Sequence, residues 1–213
     1  MSDLLRKELR LAAHPSIYIF IALGALVLVP AYPYGMVFFF AMLGVFQSIM
    51  YTRETRDIYF TALLPVRKRD AVKAKLLLAA FIQLTQLLFS VPFAFLRTLY
   101  LPSGNPVGIE ANAAYYGFGL MIFGAFNLIF FPLFFKTAYK AGTAFLAALI
   151  PAAIGVFAME AAVHVPGLEW LDGLSPELLA RQLPVLLAGA AVYAGSWFGA
   201  LAAAGRRFER VNL

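Results

Sequence analysis

Few side chains in the long apolar segments of this chain could take part in acid–base or metal chemistry. Glu160 is the one acid inside such a segment, in GVFAMEAAVHV. The two histidines, His14 and His164, lie at the ends of different apolar segments, and the chain has no cysteine. Because acid–base catalysis and proton relay need clustered groups that change charge, the sequence predicts no catalytic site, no metal site and no enzyme activity.

A second group of polar residues lies within two neighbouring apolar segments. Gln83 and Gln86 are in one of them and Asn127 is in the next. Together with Glu160 they are candidates for a substrate path. Amides at such positions also join neighbouring helices by hydrogen bonds, and a carboxylate near a helix end can reach the interface. The sequence leaves both interpretations open.

The sequence contains no phosphate-binding loop of the form G-x-x-x-x-G-K-[ST]. It also shows no internal repeat and no low-complexity linker. We therefore predict that this chain binds no cofactor of its own. Any nucleotide energy that it uses must then come from a partner chain.

The elements that carry these residues are predicted to be membrane-spanning helices. The chain is 62% hydrophobic and 13% charged, with a mean hydropathy of +0.82, whereas soluble domains are about 45–50% apolar and about 25% charged. About 20 apolar residues are needed to cross the hydrocarbon core. We predict an all-α membrane protein that forms a single transmembrane domain over residues 1–213, with six spans at about 15–29, 34–51, 74–95, 113–135, 141–163 and 183–204.

The first of these segments is short for a full crossing. Residues 15–29 are joined to residues 34–51 through the turn sequence PAYPYG, residues 30–35, which overlaps the start of the second segment. The segment either thins the bilayer or enters it as half of a re-entrant hairpin. Both arrangements return the chain to the side on which it began, and we favour six full spans.

The positive charges predict the orientation of the chain. Most of the 17 lysines and arginines lie in the N-terminus, in residues 53–75, in residues 136–140 and in the C-terminal tail. The connections on the other side contain only Arg97 and Arg181. Since lysine and arginine are retained in cytoplasmic connections, both termini are predicted to be cytoplasmic. The net charge of +6 then reflects topology and gives no reason to predict nucleic acid binding.

The predicted cytoplasmic connection, residues 52–73, combines cations with apolar side chains in RDIYFTALLPVRKRD. Pro65 is placed to begin or end a short helix, and Asp70 to cap the span that follows. An apolar centre with a charged rim is typical of a protein interface, although such a segment could also rest on the lipid surface. The candidate contact residues are Asp57, the apolar group Leu63, Leu64, Pro65 and Val66, and the charged group Arg67, Lys68, Arg69 and Asp70.

Two further helices are predicted outside the spans. Residues 1–14, MSDLLRKELRLAAH, form a rough apolar stripe and predict a cytoplasmic amphipathic helix that leads into the first span. On the opposite side, Ser175 and Pro176 precede ELLARQL. This pattern predicts a short, capped helix at the interface, separate from the last span.

Three stretches of the sequence carry a resemblance to a known family: LLRKELRLAAHP, the tight YPYG turn, and RETRDIYFTALLPVRKRDAVKAK. On these residues the chain resembles the permease subunits of type-2 ATP-binding-cassette (ABC) exporters. It is most similar to the small, separate-subunit form that exports amphipathic or antimicrobial peptides. The resemblance implies a six-span half-transporter in the lipid of a bacterial or archaeal plasma membrane.

The resemblance also implies the partners of the chain. Such a permease pairs with a second permease subunit, as a homodimer or with a close paralogue, and binds two copies of an ABC ATPase that hold ATP and Mg²⁺. In this family the connection after the second span carries a coupling helix that docks into a cleft on the ATPase. Asp57 and residues 63–70 therefore become candidate ATPase contacts.

Two other functions remain open at this point. The chain could be a membrane sensor or immunity subunit that translocates nothing, or an intramembrane lipid enzyme. The thin inventory of ionisable groups argues against the enzyme. A peptide, a drug or a lipid-like molecule would each suit an exporter of this kind, and the sequence does not choose among them.

Overall fold

The computed structural model describes residues 2–100 and 104–211. Within these ranges the chain forms helices joined by turns, without any β-strand. A π-helical turn, Glu8–Ala12, extends the first helix, a 3₁₀ segment, Leu23–Leu28, extends the second, and a 3₁₀ turn, Glu169–Leu171, precedes the last. The α-helices are α1 (Ser2–Lys7), α2 (Ser16–Ala22), α3 (Met36–Glu54), α4 (Asp57–Leu63), α5 (Lys68–Tyr100), α6 (Ala113–Phe134), α7 (Ala141–Ala162) and α8 (Pro176–Glu209).

Five of these helices, α3 and α5 to α8, are long and apolar enough to cross a membrane. A sixth crossing is counted if the bent N-terminal pair, Leu4–Ala12 and Ser16–Leu28, is taken as one span. The prediction of an all-α membrane protein is therefore confirmed.

The N-terminal pair of helices is bent by 89°. Ala13 is extended, and Pro15 follows two residues later, where it disfavours helical backbone in the residue before it. α2 has 7 residues and its 3₁₀ extension has 6, which together span roughly 22 Å at the usual rises of the two helix types. This length is short of the roughly 30 Å hydrocarbon core, as the sequence suggested for this segment.

α5 and α8 are longer than a single crossing requires. They contain 33 and 34 residues, or about 50 Å each, so both extend beyond the hydrocarbon core. The predicted cap at Ser175 is confirmed, because its side chain accepts the Leu178 backbone N–H. The predicted short helix is wrong, because the helix continues through Pro184 without a break and forms α8. One end of the bundle carries α1, α4, the α6–α7 connection and the C-terminus of α8. We call it the basic end.

α6 lies at the centre of the bundle and packs most closely against α8. A Cβ atom on Gly189 would overlap the carbonyl group of Gly117, so only glycine permits this approach of the two backbones. The large side chains at the basic end of α6, including Phe130, Phe131 and Phe134, are fully buried. These phenylalanines therefore pack inside the subunit, away from lipid.

The end opposite the basic end is closed by polar contacts between its loops. Arg97 forms a buried ion pair with Glu110, at 3.2 Å between Nε and Oε2. The Glu110 backbone N–H donates to Asp172 Oδ1 at 2.7 Å. Asn112 caps α6 and donates to the Leu171 carbonyl at 2.7 Å. These bonds join the α5–α6 and α7–α8 connections into one layer.

Candidate functional site

α4 is a short helix at the basic end, placed between the end of α3 and the start of α5. Arg56 reverses the chain in the left-handed conformation, with φ of 53°. Asp57 then begins α4, where a carboxylate interacts favourably with the helix dipole. Leu64 is extended, because a residue that precedes proline is disfavoured in helical backbone. Pro65 therefore ends the helix.

One face of α4 exposes a group of large apolar side chains, which we call the apolar knob. At the basic end these side chains contact water unless α4 lies flat on the lipid surface. An exposed apolar patch of this kind marks an interaction site. The knob consists of four residues with these exposed fractions: Tyr59 51%, Phe60 63%, Leu63 69% and Leu64 40%.

The apolar knob lies earlier in the chain than the compact group predicted from the sequence, which ran from Leu63 to Val66. Val66 is half-buried and lines a cavity of about 120 Å³ together with Phe135 and Phe208. Tyr59 and Phe60 take its place at the surface. The boundaries of a seven-residue helix could not be fixed from the sequence, and these boundaries decide which side chains face outwards.

The base of α4 is held by four charged residues, Lys7, Glu8, Asp57 and Lys75, which we call the ion cluster. Lys75 Nζ lies 2.6 Å from Glu8 Oε2 and 2.8 Å from Asp57 Oδ2. Lys7 Nζ lies 2.8 Å from Asp57 Oδ1 and 3.1 Å from Glu8 Oε1, and it donates to the Thr61 hydroxyl at 2.9 Å. The ion cluster therefore joins the N-terminal helix, α4 and α5.

The ion cluster is largely removed from water, since the side chains of Glu8 and Lys75 are 2% and 4% exposed. Burial by itself would raise the pKa of Asp57, but the charge of Lys75 and the hydrogen bonds from both lysines outweigh it, and the pKa is lowered. Burial would lower the pKa of Lys7, but the hydrogen bond to Asp57 and the two carboxylates raise it overall. Both residues stay charged at neutral pH.

These shifts have opposite consequences at the two ends of the pH range. The stabilisation from Asp57 is present above its unfolded pKa and is lost as the pH falls through its lowered folded pKa. The stabilisation from Lys7 is present below its unfolded pKa and is lost as the pH rises through its raised folded pKa. Between these limits Asp57 and Lys7 both carry their charges, so the ion pair between them persists.

The ion cluster offers nothing that resembles a catalytic or metal centre. In residues 2–100 and 104–211, no group of three or more acidic or histidine side chains is arranged to hold a metal ion. Its two carboxylates are already paired with two ammonium groups. The chemistry of this arrangement is therefore attachment between helices.

The charged residues after the knob have three different surroundings. Arg67 and Arg69 are exposed, whereas Lys68 donates to the Val211 carbonyl at 2.7 Å and so ties the start of α5 to the end of the chain. Asp70 was predicted to cap the helix, but α5 begins at Lys68 and Asp70 lies in its first turn. There its carboxylate still interacts favourably with the helix dipole.

Two of the four candidate substrate-path residues meet inside the subunit. Gln83 and Asn127 exchange amide hydrogen bonds at 3.0 and 2.9 Å, and the Tyr193 hydroxyl donates to Gln83 Oε1 at 2.9 Å. All three side chains are buried. They connect α5, α6 and α8, and a role in a substrate path stays a prediction.

The other two candidates lie in separate places. Gln86 donates to the Phe20 carbonyl of α2 at 2.8 Å. Glu160 accepts the backbone N–H groups of Gly35 at 2.6 Å and Ile109 at 3.1 Å. Glu160 therefore joins α7 to the α2–α3 turn and to the α5–α6 connection.

Sequence reasoning missed most of the ion cluster. The sequence alone points only to Asp57, because Lys7 and Glu8 fit the amphipathic helix and Lys75 fits the positive charge of the connection. One signal was available, because Glu8 is an acid among apolar and basic residues in KELRL. An acid at such a position requires a nearby cation if it becomes buried.

A family model described as ABC-2 family transporter protein matches residues 3–200. Because this match covers most of the chain, the chain belongs to the ABC-2 family of transporters. It is a multi-pass membrane protein of the permease type, a component of an ABC transporter that associates with an ABC ATPase. No curated protein and no solved structure matches the chain significantly.

Proposed function

We propose that this chain is the permease subunit of an ATP-driven exporter, and that α4 is the coupling helix that docks on the ATPase. One observation carries the proposal: α4 exposes an apolar knob while the ion cluster fixes its base to α5. An exposed apolar centre with Arg67 and Arg69 beside it has the composition of an interface. A rigid base is what allows movement of the ATPase to reach a membrane helix.

The alternative for α4 is that it rests on the lipid surface. A helix that binds only lipid needs an apolar face on one side and cations on the other. Lipid binding tolerates a flexible attachment, so a helix that binds only lipid does not need a buried joint of four charges. The ion cluster gives α4 a rigid attachment, since breaking such a joint costs several kcal/mol. The ion cluster therefore favours a protein partner that pulls or pushes on α4.

The proposed cargo is amphipathic, such as a peptide, a drug or a lipid-like molecule, and it leaves the cell. Two apolar grooves support this choice. One groove of about 370 Å³ includes Val91, Phe95 and Leu179, and another of about 320 Å³ includes Phe118 and Met159. Apolar grooves at helix surfaces suit a substrate that arrives from the bilayer.

The proposed assembly contains two permease subunits and two ATPase subunits. A bundle of this size does not enclose a transport pathway by itself, and two-fold pairing is the commonest arrangement of such subunits. The second permease is either a copy of this chain or a close paralogue. ATP and Mg²⁺ are bound by the ATPase, since this chain has no phosphate-binding loop.

Purification tests this assignment. We expect the chain alone to hydrolyse no ATP, and the complex with its ATPase to hydrolyse ATP faster when the transported compound is added in proteoliposomes. The control is the complex with an ATPase variant that cannot bind ATP. Hydrolysis by the pure chain, or a complex that never moves any compound across the bilayer, would contradict the exporter function.

The proposed orientation places both termini in the cytoplasm and is tested by cysteine labelling. The chain has no native cysteine, so single replacements report without background. In intact cells, we expect an impermeant thiol reagent to label Ser175→Cys and to leave Lys140→Cys unlabelled until the cells are opened. Both positions are exposed, so a failure to label cannot be assigned to burial. Labelling of Lys140→Cys in intact cells would reverse the orientation.

A further inference from the structure

The basic end carries an open pocket that the proposed function does not use. It has a volume of about 270 Å³ and is lined by Lys136, Arg207, Arg210 and Val211. Three cations therefore converge on one space. Among the residues that the structure describes, the lining includes no acidic side chain.

The walls of this pocket are held in place by contacts between α6 and α8. Arg207 Nη1 donates to the Pro132 carbonyl at 2.9 Å, which fixes one edge of the guanidinium group. The rings of Phe135 and Phe208 pack with centroids 5.0 Å apart. The Lys68 side chain, on α5, donates a hydrogen bond to the Val211 carbonyl at 2.7 Å. These contacts fix Arg207 and Val211 in the wall of the pocket, and Lys136 and Arg210 are exposed beside them.

The charges of this pocket are poorly compensated. In the described part of the chain, neither Lys136 nor Arg210 forms an ion pair with an acid. The nearby C-terminus of α6 supplies only about half a negative charge. Three cations in one pocket repel one another, and an anion between them would remove this cost.

The pocket also lies at the level where apolar helix surface gives way to charge. α8 is apolar through LAAAG before Arg206, and α6 ends in FFPLFF before Lys136. This change marks the boundary between hydrocarbon and lipid headgroups. On the face of α8 that carries Arg210, Val192 lies 18 residues earlier in the chain, about five turns away, and is 46% exposed.

We propose that this pocket binds the phosphate headgroup of an anionic membrane lipid in the leaflet at the basic end. Arginine presents a planar set of donors that matches phosphate oxygens, and lysine adds a mobile point charge. The headgroup would lie among Lys136, Arg207 and Arg210, with the acyl chains along the exposed surface of α8. Basic pockets between membrane helices bind anionic headgroups in this way.

Lipid titration of the full chain in detergent tests this site. Phosphatidylglycerol or phosphatidylcholine is titrated into the purified chain, and bound lipid per subunit is counted by native mass spectrometry. We expect saturable binding of one phosphatidylglycerol per subunit and no such binding of phosphatidylcholine. Lys136→Gln with Arg210→Gln should weaken phosphatidylglycerol binding about 25-fold, or about five-fold for each charge. Arg210→Gln alone, at an exposed position after α8, should weaken it about five-fold.

The matched control is Arg206→Gln, which removes the same charge from the neighbouring position on α8 but does not line the pocket. Because Arg206 lies one turn from Arg210, within the Debye length of about 10 Å, its replacement should weaken binding about two-fold, clearly less than the loss expected for Arg210→Gln. An equal loss in Arg206→Gln and Arg210→Gln would mean a general surface attraction and would overturn the site. Displacement of the lipid by an equal concentration of inorganic phosphate would identify a free-anion site and would overturn the lipid assignment. Equal binding of phosphatidylglycerol and phosphatidylcholine would also overturn the lipid assignment.

Discussion

Replacement of Phe60 and Leu63 by alanine is expected to weaken ATPase binding by about 2–4 kcal/mol, which corresponds to roughly 30- to 1,000-fold in affinity. Both side chains project from α4, with exposed fractions of 63% and 69%. Because they are already outside the subunit core, their truncation should leave the fold and membrane insertion unchanged. The measurement is copurification of the ATPase at matched permease levels, together with ATP-dependent transport.

The matched control removes the same two side-chain types from the exposed surface of α7, a helix that is long and apolar enough to cross a membrane. Phe157 and Leu146 on α7 are 76% and 63% exposed, and their replacement by alanine should leave ATPase binding intact. Arg67→Ala, at the rim of the knob, should chiefly slow association in a salt-dependent way. Full ATPase binding and transport by the Phe60→Ala, Leu63→Ala variant would show that the knob is not the docking surface.

Replacement of Lys75 by methionine is expected to destabilise the chain by about 3–5 kcal/mol, since breaking a buried ion pair leaves an unpaired charge in a low-dielectric site. Lys75 lies between the carboxylates of Glu8 and Asp57, at 2.6 and 2.8 Å. Without it, two carboxylates face a single cation, Lys7. We expect a thermal unfolding midpoint in detergent that is lower by roughly 6–20 °C, and loss of ATPase stimulation in whatever protein still folds.

A second substitution separates the ion pair from other effects of Lys75→Met. Glu8→Gln added to Lys75→Met removes one of the two carboxylates that then share Lys7 and leaves Lys7 paired with Asp57, so part of the lost stability should return. Lys73→Met, two residues earlier on α5, serves as the control, since Lys73 has no ion pair within the described residues. If Lys73→Met and Lys75→Met are equally stable, the ion cluster does not hold α4.

Much of the fold follows from patterns that are local in the sequence. Long apolar runs predict α5 to α8, because a backbone in lipid must satisfy its own hydrogen bonds within a helix. The helix ends were less predictable. α8 continues through the predicted break near Leu183, and α5 begins six residues before its predicted span, at Lys68. Charged residues at these ends lie beyond the hydrocarbon core, where hydropathy carries no signal.

The candidate site was predictable in location but only partly in composition. The connection after α3 stood out because cations and apolar residues are mixed there. Its joint to α1 depends on Glu8 meeting Lys75, a pair separated by 67 positions in the sequence. No local pattern encodes such a pairing, since it arises from the bend after α1 and from the packing of α1 against α5. The contact between Gln83 and Asn127 was hidden for the same reason.

Site-specific photocrosslinking tests most directly whether α4 couples the permease to its ATPase. A photoreactive phenylalanine analogue placed at Phe60 keeps the side chain exposed on α4, and the same analogue at Phe157 on α7 provides the control. Irradiation of cells that contain both subunits should give a covalent adduct between the permease and the ATPase from position 60 and none from position 157. If position 60 gives no ATPase adduct while the two subunits still copurify, α4 is not the coupling helix.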